Sequence, residues 1–261
     1  MLVRSWNLFH GNSLPPERRA FLDDMLELAT RDEPAILCVQ EVPAWALGRF
    51  TVGDVAARPM FGPLPIPASV GHALTDLHHG LLRSAFSGQG NAMLLRPDVA
   101  LLAHEVHALN PRRFRDREAK ALGLGALARL AWAKERRNVQ VIRVAHAGRT
   151  LTVANMHCTS YRPDHRIAEV ELRRAAWLAT SYAAPGDVVV LAGDFNLTAL
   201  RSPTLRELAG PEWGFSEPGP GIDHVLVRGA PSTPVQRWDD ARRTHDGRLL
   251  SDHAPVEVEI E

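Results

Sequence analysis

The stretch Asp187-Val-Val-Val-Leu-Ala-Gly-Asp-Phe-Asn-Leu-Thr198 decides the fold, because its apolar run ends abruptly in two polar side chains. The run from Val188 to Leu191 predicts a strand that is buried on both faces. Gly193 lets the backbone turn without a side chain in the way. Since strand side chains repeat every second residue, Asp194 and Asn196 point the same way. We therefore expect two oxygen-rich groups at the carboxyl end of a strand, where α/β proteins place their ligands.

Size and composition indicate one globular unit. The 261 residues are 45% hydrophobic and contain no long linker or charge block, so we predict a single domain over residues 1–261. Lys and Arg together number 30, as do Asp and Glu, which excludes a global field that would recruit nucleic acid or membrane. The N-terminal apolar run is too short for a signal peptide, and no stretch is long enough to span a bilayer. We expect a cytoplasmic monomer without stable membrane association, with Cys38 and Cys158 as free buried thiols.

Polar side chains also stand at the ends of other apolar runs that predict strands. Leu2 to Phe9 contains Asn7, which taken alone is explained as well by capping of the following turn. Ala35 to Val39 leads to Glu41, and a carboxylate there is costly unless it is paired, hydrogen-bonded or bound to a cation. The other polar groups of this kind are His157, Asp223, and Asp252 with His253.

Periodicity and turn residues assign the remaining segments. Apolar residues at helical spacing predict helices from Pro15 to Thr30 and from Asp164 to Tyr182. Paired apolar runs predict two β-hairpins, Asn91 to Arg96 with Val99 to Leu109, and Val139 to Ala145 with Thr150 to His157. Residues 58–90 are rich in Pro and Gly and predict a loop.

A basic stretch breaks the overall charge balance. Residues 112–143 hold ten Lys or Arg against three acids, beginning with Arg112, Arg113 and Arg115. These three arginines are candidates for binding the phosphates of a nucleic acid. The alternative is the solvated face of an interrupted amphipathic helix, since Leu residues recur through the same stretch.

Taken together, the polar strand ends resemble the endonuclease/exonuclease/phosphatase superfamily. The matching motifs, in family order, are Trp6-Asn7, Gln40-Glu41, Asn155-Met-His157, Gly193-Asp-Phe-Asn196, Ile222-Asp223-His224 and Ser251-Asp-His253. The resemblance implies an α/β (α+β) fold, a four-layer αββα sandwich of two mixed β-sheets flanked by helices. It also implies an active site in the cleft at the upper edge of the sheets.

The same resemblance implies a metal-dependent chemistry. Asn7, Glu41 and Asp252 would hold Mg²⁺ or Mn²⁺, hard ions that prefer oxygen ligands. Asp194 and Asn196 would position the attacking water. No Cys and His cluster competes for zinc in the sequence.

Two histidines complete the implied site. His157, paired with Asp223, would hold a charged imidazole against a phosphoryl oxygen, because a carboxylate raises the pKa of a histidine. His253 would be the general base or a second phosphate-binding donor, and the choice between Asp194 and His253 as base stays open. In deoxyribonuclease-like members a Glu pairs with the terminal His, whereas Gln89 stands at that place here.

The predicted activity is hydrolysis of a phosphodiester by direct attack of water. The basic stretch favours a nuclease acting on DNA or RNA, and Trp213 or Phe215 could stack on a base. A phosphodiesterase or phosphatase for a lipid or small molecule would use the same catalytic residues. An inactive binding module of the same fold is disfavoured, because every principal motif position keeps a chemically competent residue.

Overall fold

The computed structural model describes residues 1–57, 69–70, 73, 88–134 and 136–261. Most of the loop predicted over residues 58–90 therefore lies outside the described residues. No helix among the residues described is both long and apolar enough to cross a membrane.

One large sheet is formed, within the described chain, by β1 (Leu2–Asn7), β3 (Ile36–Pro43), β4 (Val52–Ala57), β5 (Gln89–Leu95), β11 (Gln236–Arg237) and β14 (Val256–Glu259). Its strand order is β11-β14-β1-β3-β5-β4. The β1 and β3 strands run parallel, and the other neighbours are antiparallel, so the sheet is mixed. Parallel pairing brings the carboxyl ends of β1 and β3 to the same edge.

The second large sheet has the order β10-β9-β8-β7-β6. Its strands are β6 (Ala100–Ala108), β7 (Asn138–His146), β8 (Arg149–His157), β9 (Val188–Asp194) and β10 (Asp223–Arg228). Only the β8 and β9 pair is parallel, so this sheet is mixed as well. A small third sheet joins β2 (Ser13–Leu14), β12 (Thr244–His245) and β13 (Arg248–Leu250).

The described α-helices are α1 (Leu22–Thr30), α2 (Arg112–Ala121), α3 (Ala126–Lys134), α4 (Arg166–Tyr182) and α5 (Pro203–Ala209). The helix predicted from Pro15 begins later, at Leu22, and α4 lies within the predicted Asp164 to Tyr182. The α5 helix begins with proline, and the Ser202 side chain before it accepts a hydrogen bond from the Leu205 amide at 3.0 Å. This is an N-cap that satisfies an otherwise unpaired donor.

The layers follow from which apolar faces are buried. Valine, isoleucine and methionine side chains of the two large sheets form one cluster between them, including Val3, Ile36, Met93, Val153, Val190 and Val225. The α1 helix packs on the outer face of the first sheet and α4 on that of the second. The predicted αββα sandwich of two mixed sheets flanked by helices is therefore confirmed.

Strand pairing confirms one predicted hairpin and corrects the other. The β7 and β8 strands pair antiparallel from Val139 with Met156 to His146 with Arg149, as predicted. The hairpin predicted for Asn91 to Arg96 with Val99 to Leu109 is wrong. The β5 strand pairs with β3 and β4, whereas β6 pairs with β7 in the other sheet. The turn between them carries the chain from the first sheet to the edge of the second, where β6 is the last strand. The two cysteines are free and buried, as predicted.

Candidate active site

Three adjacent strands of the second sheet place polar side chains in one row at its edge. His157 at the end of β8 is in register with Asp194 at the end of β9, and Asp194 is in register with Asp223 at the start of β10. Side chains in register on neighbouring strands lie side by side. The sheet thus brings two carboxylates and an imidazole together from residues at least 29 positions apart in sequence.

The central member of the row, Asp194, is almost completely buried. Its Oδ2 accepts a hydrogen bond from Asn7 Nδ2 at 3.0 Å, and its Oδ1 accepts one from the Asn196 amide at 2.9 Å. Burial raises the pKa of Asp194, and the nearby Asp223 carboxylate raises it further. The His253 charge and these two hydrogen bonds offset the shift only in part. Asp194 therefore has a higher proton affinity than an ordinary aspartate.

Asp223 pairs with His253, which corrects the pairing with His157 predicted from the sequence. Both carboxylate oxygens of Asp223 lie within 3.0 Å of His253 Nδ1. Burial alone would lower the pKa of His253, but Asp223, with help from Asp194 and Asp252, raises it to about 10. At neutral pH the ring is an imidazolium, and its Nε2 lies 3.8 Å from Asp194 Oδ2.

The loop that carries His253 is fastened to the first sheet. Ser251 Oγ donates a hydrogen bond to the Asn7 carbonyl at 2.7 Å and accepts one from the His253 amide at 3.0 Å. Trp6 Nε1 donates to the His253 carbonyl at 2.8 Å. The Trp6 side chain and the Asn7 carbonyl of β1 thus fix the terminal histidine against the row on the other sheet.

His157 has a different environment from the one predicted. Its Nε2 lies 3.4 Å from Asp194 Oδ2 and 4.0 Å from Glu41 Oε1. Burial lowers the pKa of His157 well below its usual value, Arg137 lowers it further, and Glu41 compensates only in part. Burial therefore opposes the charge that the sequence predicted for His157, whose ring lies between the carboxylates of Asp194 and Glu41.

Glu41 reaches the cleft because β3 contains a bulge. The pairing of β3 with β5 shifts register between Val39 and Val42, and Glu41 adopts a left-handed backbone, with φ of 54°. A bulge re-aims a side chain in this way. Burial would raise the pKa of Glu41, but His10, whose Nε2 is 3.0 Å from Glu41 Oε2, and His157 hold the pKa well below its usual range.

The other two residues predicted to hold metal are Asn7, at the end of β1 next to β3, and Asp252, which lines the cleft. Asn7 uses its Nδ2 for Asp194, and its Oδ1 accepts the Phe9 amide at 3.0 Å, which leaves one lone pair on that oxygen. Asp252 has a half-exposed side chain. Burial raises the pKa of Asp252, and repulsion from Glu41 adds to the shift.

These groups fit a hard divalent cation. Glu41, Asp194 and Asp252 supply carboxylate oxygens, and two of them have raised pKa values in part because another carboxylate lies nearby. A divalent ion relieves such repulsion and prefers oxygen ligands. Among the described residues, Asp194, Asp223 and His253 also form a group whose ligand atoms lie within 4.8 Å of one another.

The row opens into a cleft of about 560 Å³. Seven of its lining residues were not singled out as site residues from the sequence: Phe9, Ser160, Tyr161, Arg162, His165, Gly221 and Arg237. Tyr161, Arg162 and His165 follow β8 directly, and Arg237 lies on the short β11. The sequence marks Tyr161, Arg162 and His165 only by their position, a few residues after His157 at the end of β8.

The loop after β8 is anchored from beneath by a buried glutamate on α4. Glu171 accepts hydrogen bonds from the Thr159 amide at 2.6 Å, from Thr159 Oγ1 at 2.9 Å and from Trp132 Nε1 at 2.6 Å. Asn196 Nδ2 donates to the Cys158 carbonyl at 3.0 Å on the other side. The first residues of the loop are therefore held on both sides at the point where it enters the cleft.

The structure separates the predicted basic stretch from the cleft. Arg112, Arg113 and Arg115 lie on α2 and do not line the cleft, and the Arg112 side chain is 88% exposed. Arg137, later in the stretch, does influence the site, by lowering the pKa of Glu41 and of His157. Gln89 is buried at the start of β5, and Asp223 supplies the carboxylate for His253 instead.

A four-layer sandwich with carboxylates and imidazoles at one edge defines a class of phosphoesterase enzymes. Residues 5–253 match the model of the Endonuclease/Exonuclease/phosphatase family, and the chain belongs to this family. No curated protein matches the chain by sequence.

Solved structures share the fold at low sequence identity. A functionally unknown conserved protein from Enterococcus faecalis V583 superimposes with a TM-score of 0.62 at 14% identity, covering 100% of this chain and 99% of that one. TDP2 from D. rerio, complexed with a single-strand DNA product, gives 0.62 at 15% identity, covering 100% and 98%. The endonuclease/exonuclease/phosphatase from Bacteroides vulgatus gives 0.62 at 13% identity, also covering 100% and 98%.

Proposed function

We propose that this protein is a Mg²⁺- or Mn²⁺-dependent phosphodiesterase that hydrolyses nucleic acid by direct attack of water. The observation that carries the proposal is the buried row of His157, Asp194 and Asp223, with His253 held against it by Asp223. The row combines a carboxylate of raised proton affinity with an imidazolium in one cleft, and hydrolysis of a phosphodiester needs both.

Asp194 is the general base in this proposal. Its raised pKa brings its proton affinity closer to neutral pH, where a base is most effective. The hydrogen bonds from Asn7 and the Asn196 amide fix the carboxylate in one orientation. A water held beside Asp194 would give up a proton to it while attacking phosphorus.

His253 and His157 bind the phosphoryl oxygens in different ways. His253 carries a positive charge at neutral pH, since Asp223 raises its pKa to about 10, and its Nε2 is directed into the cleft as a charged donor. This favours phosphate binding over a role as base, because a protonated ring cannot accept the proton of water. His157, whose pKa is lowered by burial, contributes the ring nitrogen Nε2, which lies 3.4 Å from Asp194 Oδ2.

The metal would be held by Glu41 with Asn7 and Asp252. A divalent cation there supplies Lewis-acid polarisation of a phosphoryl oxygen. Two features of the chain fix the orientation of the Glu41 carboxylate. The bulge in β3 aims the side chain, and His10 Nε2 lies 3.0 Å from Glu41 Oε2.

Nucleic acid is the substrate that the cleft supports best. Arg162 and Arg237 add cationic side chains around the reacting groups, and Tyr161 and Phe9 add aromatic rings. Phosphates and bases are recognised by this combination. The related TDP2 fold was solved with a single-strand DNA product. The cytoplasmic location, the monomeric state and the single-domain organisation stay predictions from the sequence.

A substrate panel tests the proposal. We expect hydrolysis of plasmid DNA or oligonucleotides, and of bis-p-nitrophenyl phosphate, in Mg²⁺ or Mn²⁺. Asp194→Ala, His157→Ala and His253→Ala should each abolish hydrolysis, which excludes a contaminating nuclease. Cleavage of a lipid or phosphomonoester analogue without cleavage of nucleic acid would reassign the substrate. If no panel member is hydrolysed, the enzyme proposal fails.

A further inference from the structure

A second concave surface lies on the outer face of the protein, away from the cleft. It has a volume of about 490 Å³ and runs between α2 and α4. We call it the outer groove and define it by Phe114 and Arg117 of α2, Arg173, Arg174 and Trp177 of α4, and Trp213. None of these residues lines the cleft.

Two indole rings face the outer groove. Trp177 is 57% exposed, which is unusual for the largest apolar side chain. Trp213 is half-buried and uses its Nε1 to donate to Glu207 Oε1 at 3.4 Å, which orients the ring. Exposed, oriented aromatic rings in a concave surface are platforms on which nucleic acid bases stack.

A cationic centre lies between the two helices. The Arg117 and Arg174 guanidinium groups lie 5.5 and 4.8 Å from the centroid of the Phe114 ring. Arg117 pairs with Glu118 at 2.8 Å, and Arg173 pairs with Glu207 at 2.7 Å. Two of the three groove arginines are thus balanced by acids.

Arg174 is the exception. It donates to the Ala108 carbonyl at 3.2 Å and has no carboxylate partner among the residues described. Burial lowers the pKa of Arg174, and the charge of Arg117 lowers it further. An anion placed between the two guanidinium groups would relieve this repulsion, which gives the groove a preference for phosphate.

The α4 helix leads from the cleft to the outer groove. His165 lines the cleft, and α4 begins at the next residue, Arg166. At about 1.5 Å of rise per residue, Arg174 lies about 13 Å and Trp177 about 18 Å along the helix from His165. The α2 wall also carries Arg113, one turn before Arg117 and on the same helical face. The basic stretch noted in the sequence thus borders the outer groove.

We propose that the outer groove binds single-stranded nucleic acid that continues from the cleft. Bases stack on Trp177 and Trp213, and a phosphate is bound between Arg117 and Arg174. This inference rests on the proposed function in one respect: the nucleic acid bound in the outer groove is also the substrate of the cleft. An acidic peptide would match the charge but would leave both indole faces without a planar partner, so the groove chemistry favours a nucleotide.

Binding is measured without turnover, in EDTA, from quenching of tryptophan fluorescence by oligothymidines of about 4 and about 12 nucleotides. We expect the longer strand to bind the full-length protein about tenfold more tightly or better. Trp177→Ala should reduce the affinity for the longer strand by about fivefold or more, and Trp177→Tyr should restore much of it. Arg174→Gln should lower the salt dependence of binding by about 0.7 in slope.

Arg31→Ala is the matched control, since Arg31 follows α1 on the opposite outer layer and its side chain is 61% exposed. It should leave both affinities unchanged. Equal affinity for the two strands, or an unchanged length preference in Trp177→Ala, would overturn the proposal. Quenching by poly-glutamate but not by oligothymidine would also overturn it, in favour of a protein partner. The proposed hydrolysis is tested separately, by measuring whether the wild-type protein hydrolyses bis-p-nitrophenyl phosphate.

Discussion

Asp223 and His253 form the central ion pair of the cleft, with the carboxylate oxygens 2.9 and 3.0 Å from Nδ1. The pair raises the pKa of His253 to about 10. A group whose pKa is raised on folding adds stability below its unfolded pKa, about 6.5 for histidine. That stability is lost as the pH rises through the folded value, so the pair stabilises the protein at neutral pH.

Asp223→Asn should therefore lower the pKa of His253 towards 6.5, because the amide carries no charge. We expect the imidazole NMR signal of His253 to titrate near neutral pH in metal-free protein, and hydrolysis to fall about 100-fold. The free energy of unfolding at about pH 8 should fall as well. Asp116→Asn, on the exposed face of α2, is the control. An unchanged His253 titration would show that Asp223 does not set it.

Asp194→Asn should separate activity from stability. Because the pKa of Asp194 is raised on folding, its charged form opposes folding above the unfolded pKa, and the full effect is reached above the folded one. We expect hydrolysis to fall about 1000-fold. The melting temperature of the variant minus that of the wild type should be larger at about pH 8 than at about pH 5. Thermal unfolding at both pH values measures this, and a relative melting temperature that does not change with pH would contradict it.

Removal of divalent metal should abolish hydrolysis, and Mg²⁺ should restore it. Binding of the ion among Glu41, Asn7 and Asp252 should add about 2.7 kcal/mol of stability at about 100 times its dissociation constant. Calorimetric titration should show weaker binding to Glu41→Gln and unchanged binding to Glu27→Gln, whose parent side chain is 68% exposed. Equal affinity in both variants would remove Glu41 from the metal site.

Glu171→Ala should disturb the cleft because it removes the anchor of the loop after β8. The substitution leaves the Thr159 amide, Thr159 Oγ1 and Trp132 Nε1 without their acceptor in a buried place. We expect a loss of about 2–4 kcal/mol in the free energy of unfolding by urea. Because the loop carries Arg162 and His165, KM should rise more than kcat falls. A fall in kcat alone, with KM unchanged, would argue against a role in loop placement.

The sequence predicted the fold and the strand-end residues because both rest on local patterns. The apolar run ending at Asp194 and the alternation of β7 and β8 are readable from a few consecutive side chains. The αββα architecture came from the resemblance in motif order, which extends from Trp6 to His253. The hairpin error with β5 and β6 arose because a turn does not state which sheet its second strand joins.

The sequence could not predict which side chains at the strand ends contact each other, because these contacts depend on the register between strands that are far apart in sequence. Asp223 is in register with Asp194 and lies beside His253, so its nearest imidazole is the terminal one. Burial is also absent from a single sequence, and burial is what lowers the pKa of His157. Glu171, Tyr161 and Arg237 carry no motif and act only through position.

Gly193 limits how this protein can change. A methyl group at this position would press into the carbonyl oxygen of Met156, and the backbone φ of 141° is one that other residues rarely adopt. Any larger side chain would push β8 and β9 apart just below the row of His157 and Asp194. A library aimed at a new substrate should therefore keep Gly193 constant and vary Tyr161 and Arg162, which line the cleft from the loop after β8 and lie outside the sheets.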